Sequence, residues 1–272
     1  MKFPLGAVGF LFLALSCTPE YGFFATPAQL TATSSLAQGW QHRPFWERAK
    51  VETLSATQLE TSVKELLTRP GLQWKIIVLA FEPTPLQMTT WKTLAPYTRW
   101  YWIDPTGSPT TVAGIYRLSW SLPQGWSLLG KASSKWAVQH HLTSALALVG
   151  ESSSEKERQA LLTSWSVLSP RATLTFKTIL PQETAPEAVL SQIPAQTPAL
   201  FLLYGPESAD LITHLPTTTA RFGLFVPLES YPDWDVVVTP DGRATYQFLL
   251  RSQNSPPQDL VNLPWKSVKL HS

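Results

Sequence analysis

Apolar residues in this chain gather in short runs of strand length, and helical spacing fills the gaps between them. In the first half the runs are Tyr21 to Ala25 ("YGFFA"), Ala49 to Leu54 ("AKVETL"), Lys75 to Phe81 ("KIIVLAF"), Trp100 to Ile103 ("WYWI") and Thr111 to Tyr116. Leu59, Val63, Leu66 and Leu67 recur at the spacing of one helix face, which predicts a helix capped by Ser55 and ended by Pro70-Gly71. Strand alternating with helix predicts crossover connections and a mainly parallel sheet.

The second half repeats the order. Its runs are "ALALVG" at 145–150, "TLTFKTIL" at 173–180, "ALFLLYG" at 199–205, "GLFVPL" at 223–228 and "DVVV" at 235–238, with helical patterns over Glu155 to Leu168 and Pro186 to Ile193. Each run lies about 124 residues after its counterpart. Residue identity between the halves is low, so the repeat is one of pattern, and a chance match of apolar runs is the alternative. The pattern predicts an α/β chain of two similar lobes, each a mainly parallel sheet flanked by helices. The expected boundaries are 21–117 for the first lobe, 118–242 for the second, and 243–272 for a tail returning to the first.

The N-terminus has a different texture. One cation, Lys2, precedes an uncharged run from Phe3 to Ser16, which is short of the roughly 20 apolar residues that span a bilayer and fits the apolar region of an export signal. The chain's single cysteine, Cys17, follows at once. Leu13-Ala14-Leu15-Ser16-Cys17 resembles the bacterial lipobox, in which the signal is cleaved before the cysteine and the thiol receives lipid. Residues 1–16 are thus expected to be a signal peptide and 17–20 a lipidated N-terminus, in a chain anchored to the cell membrane and facing the periplasm or exterior. The alternative is an ordinary secretory signal with an incidental cysteine. No disulfide can form in a chain with one cysteine, so stability must come from packed cores.

Composition narrows the function. With 44% apolar and 15% charged residues the chain is globular, and a net charge of +2 without a basic block is too small to argue for a nucleic-acid partner, so none is expected. No His-Glu-x-x-His run, Gly-x-Ser-x-Gly elbow or Gly-rich phosphate loop occurs, and adjacent His140 and His141 cannot face one ion together on a helix or strand. The expectation is a non-enzyme without cofactor or metal. Twelve tryptophans are many for this length; Trp91, Trp100, Trp102, Trp120, Trp126 and Trp136 fall in one region of sequence.

The order of elements resembles the type I periplasmic-binding-protein fold, which includes basic-membrane-protein-like solute-binding lipoproteins and the ligand-binding cores of lactose-repressor-like regulators. "YGFFATP" resembles the first strand and its ligand-side loop, "LLTRPGLQWKIIVLAFEP" the helix, glycine turn and third strand, and "RWYWIDPTGSPTTVAGIY" the fourth strand, an aspartate-bearing loop and the crossover strand. "ALALVGESSSEKERQALLTSW" and "PALFLLYGPESADLI" resemble the start and third strand of the second lobe. The short acidic motif of nucleoside-binding members is not evident after the first strand. The resemblance implies a small-molecule ligand held between the lobes by loops at the carboxyl ends of the strands. It places Phe24, Thr26 and Gln29 after the first strand, Glu82 and Thr84 after the third, and Asp104 and Thr106 after the fourth. The second lobe supplies Glu151, Ser152, Tyr204, Glu207, Glu229 and Tyr231. The implied function is a lipid-anchored solute-binding protein of an uptake transporter, with transporter membrane subunits and the lipid membrane as partners. The other reading is the same fold without ligand, an envelope scaffold or regulator acting through protein contacts.

Overall fold

The computed structural model describes residues 20–43, 48–104, 112–150, 154–168, 171–179, 201–204, 220–224, 234–256, 259 and 263–269. The chain divides into two compact units, one made of 1–119 with 241–263 and the other of 120–240 with 264–272. It therefore passes between units three times, at 119/120, 240/241 and 263/264. The third splits the tail, whose helix belongs to the first unit and whose last strand belongs to the second.

The first unit is built on five parallel strands, β1 (Tyr21–Ala25), β2 (Ala49–Thr53), β3 (Ile76–Leu79), β4 (Arg99–Ile103) and β5 (Tyr116–Leu118), in the order β2-β1-β3-β4-β5. All of β1 and β3 is buried, as expected for strands covered on both faces. One face packs under α3 (Leu59–Thr68) and α4 (Pro85–Leu94), where Val63, Leu66, Leu67, Met88 and Trp91 meet Phe24, Ile77, Leu79, Trp100 and Trp102. On the other face Trp40 of α2 (Ser34–Gln41) packs on Phe23 and on Tyr246 of a helix contributed by the tail. A short α1 (Pro27–Ala32) joins β1 to α2.

Two predicted boundaries move for local reasons. Ser55 does not cap α3; its N-cap is Gln58, and the Ser55 hydroxyl instead lies 3.2 Å from that of Thr57. The strand expected over Thr111 to Tyr116 starts only at Tyr116, because Gly114 takes a left-handed turn at φ 83° and Ile115 closes that turn onto Val112. Gly71, at φ 81°, follows the end of α3 as expected.

In the second unit α5 (Leu122–Gln139) precedes β6 (Ser144–Gly150), followed by α6 (Glu155–Leu168), β7 (Thr173–Ile179), β8 (Phe201–Tyr204), β9 (Arg221–Leu224) and β10 (Val236–Pro240). The tail then gives α7 (Gly242–Ser252), which lies in the first unit, and β11 (Trp265–Lys269), which pairs antiparallel with β10. Strand pairing runs β6-β7 and β11-β10-β9-β8, and β6 lies beside β8. Read across, the order β7-β6-β8-β9-β10 repeats that of the first unit, with β11 added at the edge. Its core gathers Trp126 and Leu129 of α5 and Leu161 and Trp165 of α6 on Ala145, Ala147, Phe222 and Val238. The stretch Pro186 to Ile193 lies outside the described residues.

Candidate functional site

In a sheet of order β2-β1-β3-β4-β5 the crossovers after β1 and β3 leave on opposite faces, so the carboxyl ends of those two neighbours open a crevice at the edge of the sheet. Both ends carry the same device. Thr26-Pro27-Ala28-Gln29 follows β1 and Thr84-Pro85-Leu86-Gln87 precedes α4, and each forms a capping box. The threonine hydroxyl accepts from the glutamine N–H, at 3.4 Å for Gln29 and 3.3 Å for Gln87. The glutamine carbonyl in turn accepts from the threonine N–H, at 3.0 and 2.9 Å. Proline in the first turn has no N–H to leave orphaned. The repeated Thr-Pro-x-Gln is legible in the sequence, yet its meaning as a pair requires knowing that β1 and β3 are neighbours.

These contacts give Thr26 and Gln29 a structural task, since each satisfies the other's backbone. Phe24, expected after the first strand, lies within β1 and is fully buried, with its ring 5.2 Å from that of Trp74 in an edge-on arrangement. Strand alternation explains the burial: residue 24 points to the face covered by α3 and α4, where Trp100 and Trp102 also point. Glu82 and Thr84 stay exposed in the loop between β3 and α4.

Asp104 follows β4 and is 1% exposed. Its N–H donates to the Leu118 carbonyl, and its carboxylate lies 4.0 Å from a guanidinium nitrogen of Arg117, which pairs with Trp102 across β4 and β5. Arg117 also grips Asp259 of the tail: the Arg117 backbone N–H donates to Oδ1 at 2.9 Å, and Nε and Nη2 donate to Oδ2 at 3.1 and 3.0 Å. The family resemblance put Asp104 among the ligand-side positions. The structure supplies the cation from within the unit, thirteen residues along the chain, because β5 returns parallel beside β4 and brings Arg117 alongside. Arg117 and Asp259 are site residues that sequence analysis missed; no local motif announces a pair so far apart.

Tyr204 closes β8 at the carboxyl edge of the second sheet. Cys17, Thr106, Glu151, Ser152, Glu207, Glu229 and Tyr231 lie outside the described residues. Of the sequence-clustered tryptophans, Trp91, Trp100, Trp102, Trp120 and Trp126 are buried. Trp136 is half-buried and stacks at 3.8 Å on His140, whose Nδ1 sits 2.9 Å from the Trp136 carbonyl at the end of α5. His140 is thus a helix-end residue, and His141 turns the chain at φ 55°.

The sequence matches no protein-family model and no curated protein. Its structure is similar to many solved ones. A solute-binding protein of an ABC transporter system from Conexibacter woesei superposes with a TM-score of 0.60 at 12% identity, covering 91% of this chain and 84% of that one. An arabinose-binding protein from Geobacillus stearothermophilus gives 0.57 at 12% identity over 93% and 97% of the two chains. A LacI transcriptional regulator from a Rhodococcus species gives 0.51 at 14% identity over 92% and 96%. At such identities the likeness concerns the path of the chain alone. The repeated strand order, the three passages between units and these superpositions together establish that the chain has the type I periplasmic-binding-protein fold.

Proposed function

We propose that the chain is a lipid-anchored extracytoplasmic solute-binding protein of an uptake transporter, which takes a small metabolite at the carboxyl ends of its parallel strands and works by binding, without catalysis. The observation that carries this reading is the strand order repeated in both units, which opens a carboxyl-edge crevice in each. Solved neighbours described as transporter solute-binding proteins support it. The apolar run before Cys17 supports export and lipid attachment on the outer face of the cell membrane.

A second reading has its own support. In the first unit, Asp104, Thr26 and Gln29 are engaged by neighbouring protein groups, as expected of a periplasmic-binding fold used as a scaffold or regulator. The tryptophans do not strengthen it, since most of them build the cores. A melting-shift screen against nucleosides, sugars, amino acids and short peptides separates the two. The solute-binding reading expects one class to raise Tm in proportion to the logarithm of its concentration. A flat response across all four classes, with a protein partner recovered instead, favours the scaffold.

A further inference from the structure

The amino-terminal edge of the first unit's sheet lies opposite the candidate site, and the chain enters the fold there. Glu20 is fixed at that edge: its N–H donates to the Arg48 carbonyl at 2.7 Å and its carbonyl accepts from the Lys75 N–H at 2.7 Å. Its carboxylate holds Lys75 at 2.7 Å and Arg48 at 3.2 Å. Only three Cα-to-Cα steps separate Glu20 from Cys17, so the two lie within about 11 Å whatever path the chain takes. A lipid on Cys17 therefore draws this edge down to the bilayer.

The surface that would meet the bilayer is continuous. The Arg99 N–H donates to the Lys75 carbonyl, and the Thr98 hydroxyl donates to the Trp74 carbonyl at 2.7 Å, which ties the loop before β3 to the loop before β4. On these loops stand Arg69 and Lys75, both exposed, with Tyr97 at 96% and Leu94 at 41% exposure. With neighbouring strands about 4.8 Å apart, the starts of β3 and β4 fall within roughly 10 Å of the start of β1, which Glu20 precedes. Cations beside an exposed tyrosine and leucine are the combination that suits an anionic headgroup layer, the charges meeting phosphates and the ring sitting at the level of the headgroups.

We propose that the amino-terminal edge of the first unit, through Arg69, Lys75, Leu94 and Tyr97, is a docking face for an anionic phospholipid surface, an inference that rests on lipid attachment at Cys17. Docking by this edge points the carboxyl ends of β1, β3 and β4 away from the bilayer, with Glu82 and Leu86 toward the aqueous side. Helix α4 carries a built-in control, because Leu86 in its first turn is 76% exposed at the far edge while Leu94 and Tyr97 mark the near one.

The test uses the full chain, produced in a lipidating bacterial host and reconstituted on vesicles of phosphatidylcholine alone or with about 30% phosphatidylglycerol. Hydroxyl-radical oxidation, read peptide by peptide, should fall about fivefold at Tyr97 and Leu94 on the anionic vesicles relative to the neutral ones and stay unchanged at Leu86. Arg69→Glu should restore oxidation at Tyr97 without altering Tm or the lipid mass on the N-terminal peptide. Equal oxidation of Tyr97 on both vesicle types, or protection of Leu86 instead, in a chain that carries the lipid overturns the docking face and leaves the anchor standing. An N-terminal peptide without lipid overturns the anchor, and the docking face with it.

Discussion

At the scale of single residues, Asp104 decides what its loop is for. A carboxylate 1% exposed needs a cation, and Arg117 provides it while also clamping Asp259. Arg117→Met should therefore lower unfolding free energy by about 2–4 kcal/mol, measured by urea titration, because it strips a buried carboxylate of its counter-charge and releases the tail. A residue kept for a ligand would show the reverse: weaker binding at unchanged stability. Tyr101 offers a second check. Its phenol is pushed above the usual tyrosine range, mainly by burial, with the Arg99 charge opposing the shift. The folded chain holds that proton more tightly than the unfolded one, so stability is intact below about pH 10 and falls as pH rises through the folded value. Lys75, raised chiefly by its hydrogen bond to Glu20, drains stability in the same direction in the same window. Tyr101→Phe should flatten the alkaline loss of Tm; an unaltered slope would assign it elsewhere. The position of Asp104 after a strand was legible in the sequence. Its partner was not, because Arg117 acquires its meaning only when β5 is laid beside β4.

At the scale of elements, short buried strands read well because a covered parallel strand is continuously apolar, as "IIVL" in β3 is. Helix starts read less well where the cap is weak: Gln58 at the head of α3 makes no side-chain cap, whereas Thr-Pro-x-Gln marks α1 and α4 plainly. Helix pairing is governed by features the period does not carry. Helices α2 and α7 meet glycine to glycine: a Cβ on Gly39 would lie 2.1 Å from the Gly242 carbonyl oxygen, and one on Gly242 would lie 2.3 Å from that of Ser35. Backbone atoms cannot swing aside as a side-chain tip can. Gly39→Ala should thus cost about 1–3 kcal/mol by forcing the helices apart, with the near-ultraviolet signal of Trp40 altered in step. An unchanged Tm would mean that the helices part freely.

At the scale of the molecule, the repeat of apolar runs foretold a mainly parallel sheet flanked by helices, since each run needs a place in a sheet and crossovers are right-handed. It did not foretell the split of the tail. In β11 Trp265, Lys266 and Val268 are half-buried and Ser267 is exposed, which suits the rim of the second sheet better than the covered middle of the first. The proposed anchor belongs to this scale too. Cys17→Ala should abolish lipid incorporation and move the chain out of the membrane fraction, and retained labelling would locate the acceptor elsewhere. The order of synthesis gives α7 a further importance. All five strands of the first sheet are made before residue 119, yet Tyr21 and Trp40 lack their ring partner until Tyr246 has been translated. For more than a hundred residues of elongation the nascent chain holds these rings without α7 over them. A polypeptide that cannot finish its first half until its second half exists is one that a chaperone has reason to hold.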